Sequence, residues 1–390
     1  MKPVLITIIL AQFLCTSLWF AGNAVIVDIA AALNTNPAFL ANQTSFIQGG
    51  FIMGTLLFAV FSISDRYSPS KVFFWSAIVA ALFNIGICIK DISAEAILML
   101  RFFTGFFLAG IYPVGMKIAA DYFETGLGKS LGFLVGALVL GTAFPHFLRN
   151  YSSSFPYQYV IIATSGFSII GGTCILLFVP DGPYRKGTSS IRFNAFIESF
   201  KIQEFRTAAF GYFGHMWELY SFWAFVPIMI AMHNRLHPIA SLNIAFWSFI
   251  IIAAGSLACI AGGFLAEIIG TKKMATIALF ISCACCMVSP LILTTSYTSI
   301  FIGFLLLWSL SVIADSPLFS TLVAKNAPAS NRGSSITIVN SIGFAITIIS
   351  IQSIQLLSST IGEQYIYTLL AIGPILGLRA LIKNKSNKKE

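Results

Sequence analysis

The chain has 390 residues, of which 57% are hydrophobic and only 9% charged, and its mean hydropathy is +0.87. A water-soluble domain carries about 25% charged residues, so the composition excludes a chain folded wholly in water. It points to a lipid bilayer, where the backbone must be satisfied within helices or closed barrels. The net charge of +9 is no nucleic-acid signal, because Lys and Arg stand in short segments between apolar runs.

The chain opens MKPVLITIILAQFLCTSLWFAGNA, with Lys2, an apolar core and small residues, as a secretory signal does. The apolar run continues to about Ala32, too long for a signal core, so it is expected to be an uncleaved first span. Eleven further runs follow, each suited in length to a membrane-crossing helix. The twelve predicted spans are 4–32, 45–64, 72–90, 96–120, 129–149, 158–180, 206–232, 243–267, 274–294, 298–324, 333–357 and 364–382. Most linkers are short and hold turn residues: NTNP, YSPS, NYSSSFPY, APASNRG. One is long and basic, DGPYRKGTSSIRFNAFIESFKIQEF at 181–205. The predicted organisation is an N-terminal six-helix bundle (1–180), a cytoplasmic linker (181–205), a C-terminal six-helix bundle (206–382) and a basic tail (383–390). All seven cysteines lie in apolar runs. They are expected to be small packing residues, with no metal role and no disulfide framework.

Charge sets the orientation. With both termini in the cytoplasm, the inner segments hold Lys2, Arg66, Lys71, Lys129, Arg185, Lys186, Arg192, Lys201, Arg206, Lys272, Lys273, Lys325, Arg332, Lys383, Lys385, Lys388 and Lys389. The outer ends hold Lys90, Arg149 and Arg235, with Arg101 just inside a span. This is the positive-inside bias. It predicts a multi-pass protein of the inner (cytoplasmic) membrane, with the lipid bilayer as its solvent.

The two halves repeat each other. Asp65 in FSISDRYSPSK and Glu267 in GFLAEIIGTKK occupy matching loops after the second and eighth spans. At nearly the same offset, Pro113 matches Pro317, Gln158-Tyr159 matches Gln364-Tyr365, and Gly171 matches Gly377. Parallel repeats of this kind mark a transporter architecture.

At these residues the sequence resembles the major facilitator superfamily, over its whole length. The family's loop motif has Gly, three residues, Asp, then a basic residue, Gly and further basics. The second copy here is Gly263, Glu267, Gly270, Lys272 and Lys273; the first keeps Asp65, Arg66 and Lys71, with Phe61 and Ser68 in the glycine places. Arg101, Gly105 and Gly110 in RFFTGFFLAG match the fourth-span feature of the family. Gly132, Gly141 and Pro145 match part of the antiporter pattern of the fifth span, with Phe144 in place of its Gly. The resemblance implies an all-α fold of twelve transmembrane helices in two pseudo-symmetric bundles, with spans one, four, seven and ten lining a central cavity.

The ionisable residues deep in spans fall on those helices: Arg101, Lys117, His215, Glu218 and Asp315. A charge at bilayer depth costs about 2.5–3.5 kcal/mol on insertion scales, so each needs a reason. His215 and Glu218, at i and i+3, lie on one helix face, and imidazole titrates near pH 6.5 when unperturbed. They are the expected proton-coupling pair, with Glu218 as carrier; the same pair also fits a structural tie between helices. Asp315 stands beside Pro317, which removes a backbone donor and kinks a helix. It suits a substrate contact, or a charge pair with Lys117 or Arg101. Arg101 and Lys117, near span ends, suit snorkelling or gating. Trp19, Asn23, Tyr112, Tyr220 and Asn340 are the expected substrate-lining residues, either as an aromatic and polar wall or as packing groups. Asp65, Arg66, Glu267, Lys272 and Lys273 are the expected inner gate.

The function expected is secondary active transport of a small organic solute by alternating access, coupled to protons. The competing readings are a drug or toxic-compound efflux pump of the same fold and a transport-dead membrane sensor. No GxxxxGK[ST] loop, HExxH or GxSxG occurs, so neither ATP drive nor an enzyme is expected. No cofactor and no metal are expected, the partners being solute and protons. A monomer is expected.

Overall fold

The computed structural model describes residues 3–35, 39–122, 127–185, 193–328 and 332–386. Its regular elements are all helical among the described residues. The chain divides into two units, residues 1–191 and 192–390.

The first unit holds α1 (Pro3–Thr16), α2 (Ala21–Ala24), α3 (Ile26–Leu33), α4 (Phe39–Val60), α5 (Ile63–Arg66), α6 (Pro69–Ile85), α7 (Ala94–Leu108), α8 (Tyr112–Tyr122), α9 (Leu127–Tyr151) and α10 (Gln158–Phe178). The second holds α11 (Phe193–Lys201), α12 (Gln203–Leu236), α13 (Ile244–Ile269), α14 (Thr271–Leu293), α15 (Thr298–Ala314), α16 (Ser316–Asn326), α17 (Arg332–Leu357) and α18 (Ile372–Ser386). Residues 186–192 of the expected linker and 387–390 of the tail lie outside the described residues. The described part of the linker contains α11, which packs on α12 and α17 and joins Ser199 to Ser335 through their hydroxyls at 2.8 Å.

Among the described residues, ten helical stretches are long and apolar enough to cross a membrane. They are the second to sixth and eighth to twelfth predicted spans. The other two differ in form. The first span is broken into α1, α2 and α3, leaving the apolar piece Pro3–Thr16 short of a crossing. The seventh, α12, is a continuous helix of 34 residues. Its His, Glu, Tyr and Trp residues dilute its hydropathy below that of the other ten.

The two units repeat one packing scheme. In the first, α1 packs on α9 and α10, α4 on α7, and α6 on α7 and α10. In the second, α12 packs on α17 and α18, α13 on α15, and α14 on α15 and α18. These are the same span pairs, six spans apart. Within lipid the apolar drive between helices is lost, so close fit decides association. The α4–α7 seam is such a fit: a Cβ added at Gly50 would lie 1.8 Å from the Phe102 carbonyl oxygen, and one at Gly105 2.0 Å from that of Ile47. The matched prolines also fall at matched breaks. The fourth span turns between α7 and α8 just before Pro113, and the tenth between α15 and α16 at Asp315, two residues before Pro317.

Candidate functional site

The break in the tenth span sets up the first cluster. Pro317 has no N–H for the Ile313 carbonyl, which instead accepts from the Asp315 backbone N–H and is approached by Cys259 Sγ at 3.7 Å. Asp315 therefore sits at a helix joint, with no exposed surface. Its Oδ1 lies 2.7 Å from Nδ1 of His215 on α12. The spacing is that of an ion pair, without the alignment of a directed hydrogen bond. His215 Nε2 and Asp315 Oδ2 have no hydrogen-bond partner among the described residues. The Tyr212 and Phe319 rings flank the imidazole, with centroids 6.2 and 6.3 Å away. An imidazole and a carboxylate in contact, sealed from water, form a group that can hold or release a proton as a unit.

Glu218, one turn along α12, faces elsewhere. Its carboxylate accepts Trp308 Nε1 at 2.6 Å, Ser282 Oγ at 2.9 Å and Cys286 Sγ at 3.3 Å. It is fully buried. These donors come from α14 and α15, so Glu218 ties three helices of the second unit together. The structure does not bring it to His215. A separation of three residues sets two side chains about 60° apart around a helix axis, enough here for each to reach a different neighbour.

In the first unit, the break between α1 and α2 leaves backbone carbonyls without helical partners. Arg101 on α7 takes them: Nη1 donates to Leu18 O at 3.0 Å, and Nη2 to Trp19 O. Nη1 also donates to Asn84 Oδ1 at 3.1 Å. The cation sits at the C-terminal, negative end of α1. The snorkelling expected of Arg101 is thus corrected: it is fully buried, because its charge answers the opened backbone.

Beside that break, Asn23 Nδ2 donates to Thr44 Oγ1 at 2.8 Å, and the Trp19 and Phe51 rings meet at 4.7 Å. Asn23 Oδ1 and both amide atoms of Gln43 and of Gln48 are buried without a hydrogen-bond partner among the described residues. A buried donor or acceptor left unpaired costs about 1–3 kcal/mol. Sequence reading named Trp19 and Asn23 but missed Gln43 and Gln48, because the predicted second span began at residue 45 and polar residues at its start read as a flank. Gln48, in the middle of α4, was the available clue.

The loop after the second span is a third cluster. Lys117 Nζ lies 3.0 Å from Asp65 Oδ1 and 3.5 Å from Asp121 Oδ1. Arg185 Nη2 donates to the Asp65 and Tyr67 carbonyls at 2.9 and 2.7 Å, and its Nη1 pairs with Asp181 at 2.7 Å. Within the first unit, Lys117 thus pairs with Asp65. Arg66 is exposed. In the second unit Gly270, with φ +93°, makes the turn from α13, which carries Glu267, into α14, which carries Lys272 and Lys273 in its first turn. Ser68 takes that glycine's place in the first copy because its φ is −57°; the positive φ there belongs to Ser62, at +50°.

The remaining expected residues lie apart from these clusters. Tyr220 is buried between the Trp223 and Phe344 rings, at 5.2 and 5.3 Å. Tyr112 opens α8 and is half-buried, and Asn340 is half-buried on α17.

The family model described as Major Facilitator Superfamily matches residues 8–351. No curated protein sequence matches the chain. Among solved structures, a crystal structure of the nucleoside transporter NupG is similar, with a TM-score of 0.72 at 13% identity, covering 98% of this chain and 99% of that one. A crystal structure of a bacterial homologue of the human lysosomal transporter Spinster, inward-facing and unoccupied, gives a TM-score of 0.65 at 14% identity, covering 98% and 95%. Likeness at such identities speaks for the fold.

Proposed function

Since the chain belongs to the Major Facilitator Superfamily, we propose that it is a secondary active transporter that moves a small organic solute by alternating access, coupled to protons through the His215–Asp315 pair. The observation that carries the coupling is that pair: two fully buried ionisable groups 2.7 Å apart at a helix joint. A change in protonation there alters the attraction between α12 and the α15–α16 joint. Breaking a buried pair costs about 3–5 kcal/mol, which is on the scale needed to shift a conformational equilibrium. In this reading Glu218 is a positioning tie and not the carrier. Lys117, Asp65 and Arg185 act as an inner latch. The charge bias of the loops supports an inner-membrane location with both termini in the cytoplasm.

The test uses purified protein in vesicles loaded with a pH-sensitive dye, to which neutral, cationic and anionic solutes are added in turn. The expected result is solute-dependent proton movement in the native protein. In Asp315→Asn it falls at least tenfold, with solute exchange retained and the unfolding midpoint within a few degrees. Unchanged proton movement in Asp315→Asn would remove the pair as the coupling element. No solute movement of any kind would remove the transport reading.

A further inference from the structure

We propose that Asn23, Gln43 and Gln48 form an amide-lined subsite in the first unit, which takes an uncharged polar solute through adjacent hydrogen-bond donor and acceptor groups. The inference rests on the transport reading and adds to it the class of substrate.

The three amides share one seam. On α4, Thr44, Gln48 and Phe51 fall on a single face at i, i+4 and i+7. Thr44 accepts from Asn23, and Phe51 packs on Trp19. Gln48, between them, therefore faces the broken first span. Gln43 reaches the same segment from the neighbouring position: a Cβ added at Gly22 would lie 2.1 Å from its Nε2. The three side chains are 0–3% exposed, and five of their amide atoms have no hydrogen-bond partner among the described residues.

Amides offer donor and acceptor together and carry no charge. They suit a ligand edge that presents both, such as a carboxamide, a nucleobase or a vicinal diol. The nearby cation, Arg101, spends both terminal nitrogens on carbonyl oxygens of Leu18, Trp19 and Asn84, and only its Nε–H lacks a partner among the described residues, so the paired donor and acceptor groups of the seam come from the amides. Trp19 and Phe51 close one end with aromatic surface, which suits a flat or apolar ligand face. Access requires the seam to open. The breaks at residues 17–20 and at Val25, on either side of the four-residue α2, are the joints about which it can.

The experiment is a thermal-shift measurement on the purified full chain with uridine, glucose and nicotinamide as neutral probes, and glutamate and choline as charged ones. At least one neutral probe should raise the unfolding midpoint by several degrees, and neither charged probe should. In Gln43→Met with Gln48→Met, apparent affinity for that probe should fall at least tenfold. The unliganded midpoint should hold or rise, because unpaired amides are gone. If the double variant does not fold, Gly22→Ala, which drives a methyl group into the Gln43 amide, makes the same test. Unchanged affinity would leave the amides as water-filled packing and overturn the inference, as would stabilisation by charged probes alone or by none. The two readings fail separately. A chain that carries only a charged solute across vesicles keeps the transport reading and loses the subsite; one that binds a neutral probe through the amides yet moves no solute does the reverse.

Discussion

Three residues, His215 and Glu218 on α12 and Asp315 at the α15–α16 joint, were legible as buried charge, but their partnerships were not. The i, i+3 spacing of His215 and Glu218 suggests a shared proton, yet the donors that claim Glu218 are Trp308, Ser282 and Cys286, and a lone sequence does not say which helix faces which. Cys286, read as a packing residue, supplies one of them. The separation has a measurable result. Glu218→Gln keeps one oxygen for Trp308 and Cys286, turns the oxygen facing Ser282 into an N–H donor, and removes the negative charge that strengthens all three bonds. Hydrogen bonds to charged groups contribute about 1.5–3 kcal/mol each, so the unfolding midpoint should fall by several degrees. Proton movement in dye-loaded vesicles should persist within about threefold, the limit of a change that leaves the coupling barrier nearly intact. Lost coupling with an unaltered midpoint would return the carrier role to Glu218.

At the scale of elements, proline marks the interruptions of the fourth and tenth spans, and a cation marks the one that follows α1. Pro317 made the break in the tenth span readable from sequence, and Pro113, noted as its repeat match, stands at the break in the fourth. The break at Ser17–Phe20 was not, because no proline stands there and the apolar run continues through it. It is held from outside, by Arg101 on the opened carbonyls, and tertiary contacts of that kind leave no local trace. The α4–α7 seam depends equally on what is missing. Gly105→Val would place its Cβ 2.0 Å from the Ile47 carbonyl oxygen. The helices must part, at a cost of about 1–3 kcal/mol or more. Gly303, on α15, has no atom within 4 Å of an added Cβ, and Gly303→Ala is the matched control. Size-exclusion profiles in detergent should show Gly105→Val depleted or aggregated and Gly303→Ala unchanged; a monodisperse Gly105→Val at native yield would mean that the seam has slack.

For the whole molecule, the sequence repeat and the packing repeat are one fact seen twice. The offset that pairs Pro113 with Pro317 and Asp65 with Glu267 comes from six spans folded by one scheme in each unit. Orientation, by contrast, is read from charge alone. If the basic loops lie inside, Tyr67, after the second span, faces the cytoplasm, and Tyr297, before the tenth, faces outward. Both are well exposed, at 63% and 69%. A membrane-impermeant maleimide applied to intact cells should therefore label Tyr297→Cys, and reach Tyr67→Cys only after the membrane is opened. The native chain is the background, since its cysteines are buried or half-buried in spans. The reverse pattern would invert the protein. The Lys117–Asp65–Arg185 cluster would then stand at the outer face, and its reading as an inner latch would fall with the orientation.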